Sequence, residues 1–115
     1  MKKNSIMELE YSHWTGNFGT VKSTLIRSIA QYIKNYNQIK IGITNNPENR
    51  KRKYETDGEN LVKMVVKYGT SSVNLVNKME KDLIEHHWNS ITNKVSGGGG
   101  PNGATGPYFL YVILK

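Results

Sequence analysis

Lys40-Ile41-Gly42 is followed ten residues after Lys40 by Arg50, four residues later by Tyr54, and then by Glu80 inside a helical apolar pattern. A strand, a helix-borne cation and a helix-borne carboxylate are the three supports that metal-assisted cleavage of a phosphodiester needs. Mg2+ takes oxygen ligands and keeps several waters, so one carboxylate together with substrate phosphate oxygens is a sufficient site. Such an ion stabilises charge developing on the phosphate and lowers the pKa of its bound water. Arg50 offers phosphate oxygens a fixed fork of donors that lysine does not reproduce.

These residues need elements to hold them. Ile39, Ile41 and Ile43 alternate with Lys40, Gly42 and Thr44, the period-two mark of a strand that places Lys40 and Gly42 on one face. Asn46-Pro47 supplies an N-cap followed by proline at the first helical position, which predicts a short basic helix over Glu48 to Glu55 with Arg50 and Tyr54 one turn apart. Upstream, Thr20 is a candidate cap for a helix whose Leu25, Ile26, Ile29, Tyr32, Ile33 and Tyr36 form one buried face. Lys22, Arg27 and Lys34 fall outside that stripe.

Asp57-Gly58 punctuates the chain, and the valine-rich run Leu61 to Tyr68 reads as a second strand ended by Gly69. Ser71 or Ser72 opens a long helix with Leu75, Val76, Met79, Leu83, Ile84, Trp88 and Ile91 on one broad side. Glu80 lies near the middle of that apolar arc, where an unpaired carboxylate is costly to bury, and His87 shares the side two turns on. Residues 96–107 are a glycine-rich connection before a closing strand, Tyr108 to Leu114. That strand lacks polar alternation, which predicts a central place covered on both faces.

The 115 residues suit one domain with one modest core. Sixteen Lys and Arg against nine Asp and Glu give a net charge of +7, which favours polyanionic partners, nucleic acid first among them, although the same excess can simply keep a small protein soluble. Cysteine is absent, so disulfides and thiolate metal sites are excluded and a reducing, intracellular setting fits. No apolar run approaches the roughly 20 residues of a membrane span, and Lys2-Lys3 has no apolar stretch after it to make a leader.

Lys40-Ile41-Gly42-Ile43-Thr44, Asn46-Pro47, Arg50, Tyr54, Glu80 in Met79-Glu80-Lys81-Asp82-Leu83-Ile84, and Asn93 before a glycine run together resemble the GIY-YIG endonuclease superfamily. The resemblance spans about half the chain, from Ile39 to Gly98, and is nearest to the phage and mobile-element branch with Lys-Ile-Gly in place of Tyr-Ile-Gly. It implies an α+β fold, a small antiparallel three-stranded sheet flanked by helices, that hydrolyses DNA with one divalent ion, Mg2+ or Mn2+. Under the resemblance, Glu80 holds the ion, Arg50 steadies the scissile phosphate and Tyr54 orients the attacking water or assists proton transfer. Gly42, His87 and Asn93 support the site or the substrate.

Two departures bear on that implication. Lys40 stands where the superfamily usually has a tyrosine often cast as general base. A lysine serves as a base only if burial or neighbouring cations lower its pKa by several units, and it serves equally as a phosphate clamp. The first signature, Gly-Ile-Tyr, is missing just upstream, and the segment Gly106-Pro107-Tyr108-Phe109-Leu110-Tyr111-Val112 looks like that strand displaced to the end. A permuted arrangement is therefore expected, with Tyr108 or Tyr111 entering the site beside Lys40.

Plainer readings stand beside these. Glu80 can be a structural ion-pair partner, Arg50 a solvated charge, Tyr54 a packing residue and His87 a hydrogen-bonded core histidine; His86-His87 has no third partner at zinc spacing. Gly98, Gly100 and Gly103 fit G-x-G-x-x-G but follow a helix and precede a strand, the reverse of the dinucleotide order. Thr15 to Ser23 departs from a phosphate-binding loop because Val21 separates Gly19 from Lys22 and no convincing apolar strand precedes it. Three functions follow: a metal-dependent endonuclease on DNA, with RNA and homo-oligomers left open; a nucleic-acid-binding module that has lost catalysis; and a small regulatory protein contacting an acidic partner.

Overall fold

In the computed structural model the described residues are 8–56, 63–92 and 105–115. The chain runs β1 (Glu8–Trp14), α1 (Phe18–Asn35), β2 (Ile39–Thr44), α2 (Pro47–Thr56), β3 (Lys63–Thr70), α3 (Val73–His86), a 3-10 turn (Trp88–Ser90) and β4 (Tyr108–Leu114). The fold is α+β. The expected three-stranded antiparallel sheet is corrected to four strands of mixed direction in the order β1-β3-β4-β2.

The added strand is β1, which runs parallel to β3 from Glu8↔Lys63 to Trp14↔Tyr68. It escapes a hydrophobicity-led reading because it is an edge: Glu8, Tyr11 and Trp14 are exposed, and Leu9 is its contribution to the core. Lys63 joins it to β3 through Glu10 at 3.1 Å and Glu8 at 3.9 Å. A strand therefore does precede Thr15 to Ser23. That stretch still makes no phosphate loop, because α1 starts at Phe18, Gly19 and Lys22 lie within the helix, and Lys22 is paired with Asp82 at 3.2 Å.

β4 is central, as its unbroken apolar sequence predicts. It pairs antiparallel with β3 on one side and along its length with β2 on the other, from Ile39↔Leu114 to Thr44↔Phe109. Sequence-distant strands are thus neighbours, and Gly42 is directly opposite Tyr111.

Two cores follow from strand alternation. On one face, Ile39, Ile41, Ile43, Leu110, Val112 and Leu114 pack with α1 and α3. There Leu25, Ile29, Val76, Leu83 and Ile84 are fully buried, each contributing on the order of 1.5–3 kcal/mol relative to exposure. On the other face, α2 lays Tyr54 against Met64, Tyr111 and Ile113.

Helix ends are set by side-chain caps. α1 is capped three residues before the expected Thr20, because Asn17 Oδ1 accepts the Thr20 amide at 3.0 Å. Ser72 Oγ accepts the Leu75 amide at 3.1 Å to open α3, and Asn46 Oδ1 accepts the Asn49 amide at 3.0 Å to open α2. β3 continues through Gly69 to Thr70 rather than ending at Gly69. α3 stops at His86, so Trp88 leaves the apolar stripe and is exposed. Asp57-Gly58, Leu61, Asn93 and the glycine run 97–100 lie outside the described residues.

Candidate active site

β2 supplies Lys40 and Gly42 on the face covered by α2. The turn that starts α2 is fastened at both ends: Thr44 Oγ1 accepts the Asn46 amide at 3.0 Å, and Asn45 Nδ2 donates to the Thr105 carbonyl at 3.2 Å. With α2 so placed, Arg50 and Tyr54 meet β4. Arg50 Nη1 donates to Tyr111 Oη at 3.1 Å, and the Tyr54 and Tyr111 hydroxyls share a hydrogen bond of 3.0 Å. The two rings meet edge to face, and Lys40 Nζ lies 5.3 Å from the Tyr54 ring centroid. Lys40, Arg50, Tyr54 and Tyr111 therefore form one cluster, with Lys40 exposed and Arg50 half-buried at its mouth.

Gly42 makes the cluster possible. The Tyr111 ring lies directly over it, and a Cβ at that position would fall 2.5 Å from Tyr111 Cζ. Its role is steric, a missing side chain that lets the ring cross the strand.

Of the two candidate tyrosines in β4, Tyr111 and not Tyr108 joins Arg50. Tyr108 is three residues away, so strand alternation turns it to the opposite face, where it packs in the α1/α3 core. Tyr108 is thus corrected from a catalytic candidate to a core residue. The signal that separates them is parity: antiparallel partners share a face, and the partner of Gly42 shares the face of Lys40.

Burial pushes the Tyr111 hydroxyl well above tyrosine's usual pKa, and Tyr54 pushes it further; the Arg50 guanidinium offsets part of this. At neutral pH the group keeps its proton. It acts as a hydrogen-bonding anchor for Arg50.

Glu80 is 8% exposed on α3, whose Val76, Met79, Leu83 and Ile84 fill the first core. α3 and α2 cover opposite faces of the sheet, so Glu80 stands in the layer opposite Arg50, with edge strand β2 bordering both. Among the described residues there is no group of three or more His, Asp or Glu suited to a metal ion. Mg2+ held through one carboxylate does not require such a group.

His87 caps α3 and is buried, its ring edge-on to His86 at 4.7 Å between centroids. Burial holds its pKa below histidine's usual 6.5; His86 adds to the depression and a hydrogen bond with the Ile26 backbone offsets part of it. Nε2 has no hydrogen-bond partner among the described residues. His87 is thus a buried histidine at the C-terminal end of α3. The folded state binds fewer protons here than the unfolded chain, so stability from this group is full above pH 6.5 and is lost as pH falls below it. Chemical denaturation of the wild type between pH 7.5 and 5 should show that decline, and His87→Gln should flatten it; an unchanged slope in the variant would assign the decline elsewhere.

No protein-family model, curated protein or solved structure matches the chain. Among the described residues, no helix is long and apolar enough to cross a membrane.

Proposed function

We propose that this chain is a divalent-metal-dependent endonuclease that hydrolyses phosphodiester bonds in DNA, a GIY-YIG-type enzyme whose first signature strand is carried at the C-terminus. The observation that carries the reading is the junction of Arg50 and Tyr54 of α2 with Tyr111 of β4, over Gly42 of the paired but sequence-distant strand β2. The β2–β4 pairing brings Tyr111 beside the Lys-Ile-Gly strand, as a permuted order demands.

In this reading Arg50, steadied by Tyr111, turns its remaining donors to the non-bridging oxygens of the scissile phosphate. Lys40 is a clamp on the same backbone. The Tyr54 hydroxyl, held by Tyr111 and next to the Lys40 ammonium, orients the attacking water. Glu80 is the residue that would hold Mg2+ or Mn2+; a bound ion would supply Lewis-acid stabilisation and a more acidic water.

A second reading, a nucleic-acid-binding module without catalysis, is favoured by one observation: Arg50 and Tyr111 satisfy each other on the α2 face while Glu80 rises from the opposite layer. Incubation of supercoiled plasmid with Mg2+ or Mn2+ separates the two. Nicking that requires metal supports the enzyme. Salt-sensitive binding with no nicking supports the module.

A further inference from the structure

Beside Arg50, a groove of ≈ 480 Å³ runs along α2, lined by Asn49, Arg50, Arg52, Lys53 and Thr56. These positions share one side of the helix. The other side differs: Glu48 is close enough to Tyr11 of β1 to raise its pKa, second to the effect of burial, and Lys51 is neutralised by Glu55 at 2.9 Å. Charge on α2 is thus divided by side, with the groove side carrying three cations and no carboxylate.

The groove is also partly organised. Arg52 Nη2 donates to Asn49 Oδ1 at 3.1 Å, and the Asn49 amide is itself fixed by Asn46 Oδ1 at the N-cap. One guanidinium is therefore held in a set direction beside the cavity, with its other donors available to an anion. Arg50 and Lys53 lie within one helical turn, about 5.4 Å, so a ligand with anionic groups spaced along its length can engage both.

We infer that this groove is a second phosphate subsite, occupied by the backbone phosphate next to the one gripped by Arg50, so that a nucleic-acid strand lies along the Arg52 and Lys53 side of α2. The inference rests on the nucleic-acid reading above and deepens it: recognition here is of the sugar-phosphate backbone, which positions the strand without reading its bases. The strand avoids the Glu48 and Glu55 side, where like charges would oppose it.

The test is the salt dependence of binding to a DNA duplex in EDTA, which needs no cleavage. For every phosphate that a variant no longer neutralises, the slope of log K against log salt should fall in magnitude by about 0.9. Arg52→Gln with Lys53→Gln should lower it by roughly one to two. Arg27→Gln with Lys34→Gln removes the same charge from exposed positions on α1, across the sheet, and should leave it unchanged. Asn49→Ala keeps the charge but releases Arg52, and should weaken binding by about two- to tenfold, the worth of an ordinary hydrogen bond. Equal slopes for the two double variants, unchanged affinity in Asn49→Ala, or no binding by the wild type would overturn the inference. Nicking in Mg2+ without the slope difference would spare the catalytic reading and sink this one. The slope difference without nicking would do the reverse.

Discussion

Gly42→Ala should lower the melting temperature by about 5–10 °C and reduce plasmid nicking at least tenfold. The added Cβ meets the Tyr111 ring at 2.5 Å from Cζ, far inside contact distance, and the ring is 1% exposed. Overpacking of this kind costs about 1–3 kcal/mol, which sets the thermal shift for a domain of this size. The larger consequence is positional, because the displaced hydroxyl is the shared partner of Arg50 and Tyr54. Gly42→Ala combined with Tyr111→Leu should recover part of the melting temperature, since the shorter side chain relieves the collision, and recover none of the nicking. Thermal unfolding followed by circular dichroism checks the first half. A single variant that melts like the wild type would mean that the Tyr111 ring does not lie over Gly42.

The second large effect is at Arg50. Arg50→Ala should reduce metal-dependent nicking by about 10²–10³-fold, the usual loss when one preorganised donor to a developing anion is removed. Arg50→Lys should not restore it, because an ammonium replaces the planar fork with a single point charge and does not reproduce its bidentate geometry. Folding should be little altered, since the guanidinium is half-buried and water can reach what it leaves. Single-turnover nicking rates for the three proteins, with circular dichroism as the folding control, make the comparison. Retention of the rate in Arg50→Ala would remove the guanidinium from the chemistry.

Much of this arrangement is legible in the sequence because the signals are local. The Ile39–Ile41–Ile43 alternation places β2, the Asn46-Pro47 pair places the start of α2, and the apolar arc around Glu80 foretells its burial. The Tyr-rich C-terminal segment is legible as a strand, with the bounds Tyr108–Leu114. What is not legible depends on pairing. Apolar residues on both faces of β4 conceal which tyrosine faces α2, and only the register Gly42↔Tyr111 resolves it. β1 has an exposed edge and two glutamates, so its sequence resembles a surface segment, and its pairing with β3 is a long-range event. The layer of Glu80 relative to Arg50 is likewise set by which sheet face each helix covers, a property no spacing along the chain encodes. Asn49 escapes notice for a simpler reason: as a helix-surface amide it acquires meaning only through its bond to Arg52.

Glu80 decides between a catalyst and a binder. The direct measurement is the rate of supercoiled-plasmid nicking across a Mg2+ and Mn2+ titration, for the wild type and for Glu80→Gln, a near-isosteric change that keeps hydrogen-bonding capacity while removing the charge an ion needs. The endonuclease reading predicts nicking that vanishes in EDTA, saturates with metal in the wild type and falls by at least about 100-fold in a folded Glu80→Gln. Wild-type rates in Glu80→Gln, or DNA binding with no nicking at any metal concentration, would contradict it.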